Sequence, residues 1–193
     1  MKRIINTFAV VFILALAFSA CATPPLEEMQ KARDAVTRAE NDADAVTYAG
    51  NFIIRARDAL TRMQSEADSK RYDTAKEFAA EAINNAERAI SEGQSAKGRS
   101  GSEAAALIDS LQSLLTETQN AINRARNVPN ILLDFNALQL DMNQARGLYD
   151  EARQSFQAGN NLDAVAKGQS VRAILSDINT RINEAAFETS RKQ

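Results

Sequence analysis

The sequence predicts an all-α protein, either one antiparallel helical bundle or two stacked three-helix units, with about six helices. Three observations carry that prediction. Apolar residues recur at steps of three and four through most of residues 26–188, the spacing that keeps one face of a helix out of water. Alanine dominates the apolar content, and alanine has the highest helix propensity of any residue. No stretch alternates apolar and polar side chains as a half-buried strand would.

Thr23-Pro24 opens the first predicted helix, a cap residue followed by proline at the first helical position. Leu26, Met29, Ala32, Val36, Ala39, Ala43 and Val46 give it one apolar face, and Gly50-Asn51 ends it. The second helix carries Phe52, Ala56, Ala59, Leu60, Met63 and Ala67, and the chain reverses at Ser69-Lys70-Arg71-Tyr72. The third carries Tyr72, Ala75, Phe78, Ala79, Ala82, Ala86, Ala89 and Ile90. Residues 93–101, with three glycines and two serines, read as a linker, after which Ser100 and Glu103 have capping-box spacing. The fourth helix runs through Leu107, Leu111, Leu115, Ile122 and Ala125 and stops before Val128-Pro129. The fifth starts near Asn130 with the stripe Phe135, Leu138, Met142, Ala145, Tyr149, Ala152 and Phe156, spaced like a coiled-coil seam. After Gly159-Asn160-Asn161 the sixth carries Leu162, Val165, Val171, Leu175, Ile178, Ile182 and Ala185, leaving a polar tail from Thr189.

A weak internal echo appears at an offset of 89 residues. Ala56-Arg57 aligns with Ala145-Arg146, Tyr72-x-x-Ala75 with Asn161-x-x-Ala164, and Leu26, Glu28, Gln30 and Ala32 with Leu115, Glu117, Gln119 and Ala121. Alanine-rich helices also give such matches by chance, so duplication and a single long bundle both stay open.

The first twenty-one residues have a different character. Lys2 and Arg3 precede an apolar run from Phe8 to Phe18, and Phe18-Ser19-Ala20-Cys21 closes it with the only cysteine of the chain. That is the layout of a secretory signal. The run is shorter than the roughly 20 apolar residues that span a bilayer, which favours a cleaved signal over an uncleaved anchor. Small residues directly before a cysteine resemble a bacterial lipobox, with Phe18 where leucine is usual. The resemblance implies that residues 1–20 are removed, that Cys21 carries lipid, and that 21–25 form a short tether. Because Ala22 and not aspartate follows the cysteine, sorting by such signals implies the outer membrane. The organisation expected beyond the tether is a three-helix unit over 26–92, the linker, and a second three-helix unit over 102–188.

Removing residues 1–20 takes away Lys2 and Arg3 from 23 basic residues and leaves the 25 acidic ones, a balance of −4. A mildly acidic chain has no electrostatic reason to seek nucleic acid, and acyl chains need no basic patch to hold a membrane. Histidine and tryptophan are absent. Without histidine the commonest general base and transition-metal ligand are missing, so neither catalysis nor a metal or other cofactor is expected. Asp42-x-Asp44 lacks the glycine and distal glutamate of a calcium loop, and Glu77 with Glu81 reads as a solvated edge. One apolar set is a candidate face for a ligand or partner: Leu132, Phe135, Leu138 and Phe156.

Residues 39–92 carry Ala56-Arg57-Asp58-Ala59-Leu60, then Tyr72-Asp73-x-Ala75, then Ala79, Ala82 and Ala86. This pattern resembles a bacterial domain family of unknown function common in envelope lipoproteins. The tyrosine-to-alanine spacing is also similar to the second helix of tetratricopeptide repeats, without their 34-residue period. The family resemblance implies export, a lipid anchor and helical hairpins, but no reaction. The function expected is therefore a non-enzymatic, membrane-tethered helical scaffold that meets other envelope proteins, the alternative being a carrier that holds an apolar ligand between helices.

Overall fold

The computed structural model describes residues 23–191, so the signal segment and Cys21 lie outside the described residues. All six elements among the described residues are helices: α1 (Leu26–Asn41), α2 (Ala43–Tyr48), α3 (Gly50–Asp68), α4 (Tyr72–Arg126), α5 (Phe135–Gln157) and α6 (Asn161–Arg191). The all-α class is as expected, but six is reached by a different division.

The predicted first helix is two. Asp42 caps α2 with its side chain, accepting from the Ala45 amide at 2.8 Å, a role aspartate fills better than a helix interior. The break shifts the phase of burial: Ala45 and Ala49 are buried, whereas Val46 is exposed. The start also moves. Pro25, not Thr23, stands at the N-cap of α1, without a side-chain cap bond, because a residue followed by proline is pushed out of the helical region and Pro24 precedes Pro25.

The expected linker 93–101 is helical throughout, inside α4. No proline interrupts it, and each glycine costs only about 1 kcal/mol of helix propensity. A Cβ at Gly93 would lie 2.6 Å from the Ala45 nitrogen and 2.7 Å from its Cα. Glycine is there for close approach, not for flexibility. Further along, Ser100 is buried inside the helix where a capping role was expected, and the Asn161 amide donates to the Lys97 carbonyl at 3.4 Å.

The chain divides into two compact units, the first ending at Gln94 and the second beginning at Ser95. In the first, α1 and α3 run antiparallel, tied by Arg33 to Gln64 at 2.6 Å and Arg57 to Glu40 at 2.5 Å. Its core is thin: Ala32, Ala56, Ala79, Ala82, Ala86 and Ala89 are buried together, with Met29, Ile53 and Met63 as its largest members. In the second, α5 and α6 form an antiparallel hairpin against the end of α4, and the core is aliphatic: Leu111, Ile122, Leu138, Met142, Val171, Leu175 and Ile178. Buried Thr118 accepts from the Asn179 amide at 2.9 Å.

The 89-residue echo is a repeat of one hairpin. α3 ends at Asp68 and α5 at Gln157; α4 begins at Tyr72 and α6 at Asn161. Both turns use the same C-cap. Arg71 N donates to Glu66 O and Lys70 N to Ala67 O; Asn160 N donates to Ser155 O and Gly159 N to Phe156 O, all at 2.8–2.9 Å. That double bond pattern needs a left-handed residue, supplied by Lys70 at φ 57° and Gly159 at φ 80°. Buried Ile53, Ala56, Met63, Ala75, Ala82, Ala86 and Ala89 correspond to buried Met142, Ala145, Ala152, Ala164, Val171, Leu175 and Ile178. The same correspondence explains why Leu162 is exposed although the sequence put it in the seam. The buried series of α6 runs Asn161, Ala164, Gly168, Val171, one position out of phase with Leu162.

Gly93→Ala is expected to lower the unfolding free energy by up to about 2 kcal/mol. Overpacking costs about 1–3 kcal/mol, offset by about 1 kcal/mol of helix propensity. Gly168→Ala should cost less, since its Cβ would meet the Leu107 Cδ2 at 2.6 Å, a side-chain tip that can swing away. Urea unfolding of the two variants checks this; a Gly93→Ala midpoint no lower than that of Gly168→Ala would mean the α2 backbone yields.

Candidate functional site

The α4–α5 connection builds a concavity in the second unit. Asn130 takes a left-handed φ of 59° after Pro129, and the chain runs irregularly to Asp134, whose carboxylate caps α5 by accepting from the Asn136 and Ala137 amides at 3.0 Å each. Helix α5 thus starts at Phe135, five residues later than the predicted Asn130, because aspartate is the better cap. The 130–134 segment faces the end of α6 across a groove of about 560 Å³. Leu132, Leu133, Leu138 and Ala185 give it apolar walls, and Asp134, Glu184 and Glu188 stand around them. α6 continues to Arg191, past the tail expected from Thr189, and so supplies that wall.

Charge in the groove is unbalanced. Arg181 lines it too, but its guanidinium is committed to Asp141 and, at 3.0 Å, to Asp177. Among the described residues Glu188 pairs with Arg191 at 3.8 Å, an exposed pair of the kind that contributes little. The groove is therefore an apolar slot with an acidic rim.

Of the four residues picked from the sequence, the structure brings two into this groove. Leu132 is 79% exposed at its mouth and Leu138 is buried in its wall. Phe135, one turn before Leu138, packs partly against the core with the Arg126 guanidinium 5.3 Å from its ring. Phe156 lies at the other end of α5 in a separate depression with Ile108, Tyr149 and Arg153. The four are not one face. Sequence reading missed the α6 wall, since Arg181 to Thr189 come some fifty residues after Leu132 and no local period links them.

A polar cluster closes the α5–α6 turn. Ser155 donates to Asp163 at 2.5 Å, and Lys167 lies 2.8 Å from Asp163 and 3.3 Å from the Ser155 oxygen. A serine beside a lysine can form a nucleophile and base, but only a neutral lysine takes a proton. The Asp163 carboxylate, hydrogen-bonded to Lys167, holds the ammonium above its ordinary pKa, while Lys167 and then Ser155 hold Asp163 below the usual carboxylate value. The cluster fastens the turn. Among the described residues no group of three or more carboxylates or thiols is placed to hold a metal.

Residues 27–105 match a family described as a domain of unknown function (DUF4398). The match runs from Glu27 through the rest of the first unit into the opening of the second, and stops short of the groove. No curated protein and no solved structure matches the chain.

Proposed function

We propose that this chain is a lipoprotein of the bacterial envelope, held at the membrane, and by its sorting residue the outer membrane, through Cys21 and acting by protein contact. The observation that carries this reading is the N-terminal pattern: Lys2-Arg3, the apolar run Phe8 to Phe18, and Ser19-Ala20-Cys21. Two features support it. No described helix is long and apolar enough to cross a membrane. Only Ala22 to Pro25 separate Cys21 from α1, a reach of at most about 14 Å. A lipid on Cys21 would keep the first unit at the bilayer surface. The groove favours a second reading, a carrier of apolar ligands, but its acidic rim suits an anionic lipid poorly.

The test is Cys21→Ser with cell fractionation. The native chain should partition into detergent with the membranes, its N-terminal peptide heavier by a diacylglyceryl group and an amide-linked acyl chain. The variant should carry neither of these lipid groups. Native protein carrying Met1, or a free Cys21 thiol, overturns the reading.

A further inference from the structure

We propose that the groove between residues 130–134 and the end of α6 docks a cationic, leucine-bearing segment of a partner protein. The proposal rests on the protein-contact reading and names the surface and the chemistry of what it meets. The volume, about 560 Å³, falls within the range of sites that enclose a few side chains and not a folded domain. Its walls are Leu132, Leu133, Leu138 and Ala185, and Leu132 presents 79% of its surface to water. An occupant with apolar side chains would remove that surface from solvent, the mode in which an amphipathic helix lies in a groove.

Charge chooses the occupant. Arg181 is neutralised by Asp141 and Asp177, Asp134 is held by the α5 amides and Glu188 has an exposed pair with Arg191, so Glu184 and the weakly held Glu188 are the carboxylates that an occupant of the apolar floor would meet first. Lysine or arginine flanking an apolar side chain would meet these carboxylates, while an acidic peptide or a fatty-acid headgroup would be repelled.

The experiment uses the full chain and a fluorescent helical peptide of leucine and lysine, about fourteen residues or four turns long, with a leucine–glutamate peptide as its counterpart. Anisotropy titration should show binding of the lysine peptide only. Glu184→Lys combined with Glu188→Lys should weaken it by about tenfold or more, as two reversed rim charges of the exposed kind would. Leu132→Ser should weaken it by several-fold, whereas Leu140→Ser, at another exposed leucine off the groove, should match the native chain. All these sites are exposed, and circular dichroism confirms that each variant is folded. Equal binding of both peptides, binding indifferent to the groove variants, or no binding overturns the proposal. A neutral apolar dye displaced by Leu132→Ser, with no peptide bound, would put a small-molecule carrier in its place. None of these outcomes bears on the Cys21 fractionation, so the two readings fail separately.

Discussion

Leu175→Ala is expected to destabilise the second unit by about 2–5 kcal/mol, the cost of deleting a buried leucine whose surroundings collapse only in part. Leu175 is fully buried among Leu111, Met142, Val171 and Ile178, which come from three helices. Those neighbours are held from outside the cavity: Asn179 joins Thr118 of α4 to the Leu175 carbonyl, at 2.9 Å each, and Arg181 joins α6 to Asp141 of α5. Such restraints keep the walls from closing, which places the loss in the upper half of the range. Against a typical domain stability of about 5–15 kcal/mol, that is a large fraction. Thermal and urea unfolding check it, with Leu175→Met as the control that keeps the volume and should cost less than about 1.5 kcal/mol. A loss under about 1 kcal/mol would mean that the second core already holds slack.

The helices were legible because their periodicity is local. Ala56, Ala59 and Met63, or Leu138, Met142 and Ala145, announce a buried face within two or three turns, and they are buried. Breaks were less legible, since the residues that mark them have two physical uses. Gly93, Gly98 and Gly101 in one stretch suggest a flexible connection. Gly93 is there because the Ala45 backbone passes within the space of a methyl group, and nothing near position 93 in the chain reports that. Asp42 carries the opposite ambiguity. Its neighbours Ala39 and Ala43 continue the helical spacing, yet its side chain finds the Ala45 amide and starts a new helix.

The site was half legible for a related reason. Leu132 and Leu138 could be picked out as apolar residues near a proline-marked turn. Their opposing wall, Glu184, Ala185 and Glu188, is brought there only by the hairpin that returns α6 antiparallel to α5. Phe156 belongs to the same apolar stripe as Leu138, but eighteen helical residues separate them by roughly 27 Å. A shared stripe is not a shared pocket.

Ala86→Leu tests the reciprocal of the first substitution, at the hairpin position that corresponds to Leu175. Ala86 is fully buried in the first unit, with Ala82 and Ala89 one turn to either side. Three added carbons have no cavity to enter there, so α4 must move away from its neighbours or leucine must take a strained rotamer. The expected loss is about 3 kcal/mol, the upper end for overpacking, and helix propensity offsets little of it because leucine ranks just below alanine. Ala80→Leu, an exposed position on the same helix, should change stability by no more than about 0.5 kcal/mol. Urea unfolding of the three proteins decides the matter. If Ala86→Leu behaves like Ala80→Leu, the alanine seam is a matter of composition. If it unfolds far earlier, the same hairpin is held in two ways: helices in close contact through small side chains in the first unit, and helices kept apart by leucine and isoleucine in the second. The closeness would then explain Gly93, since helices that approach so nearly leave α2 no room to clear a side chain at that position.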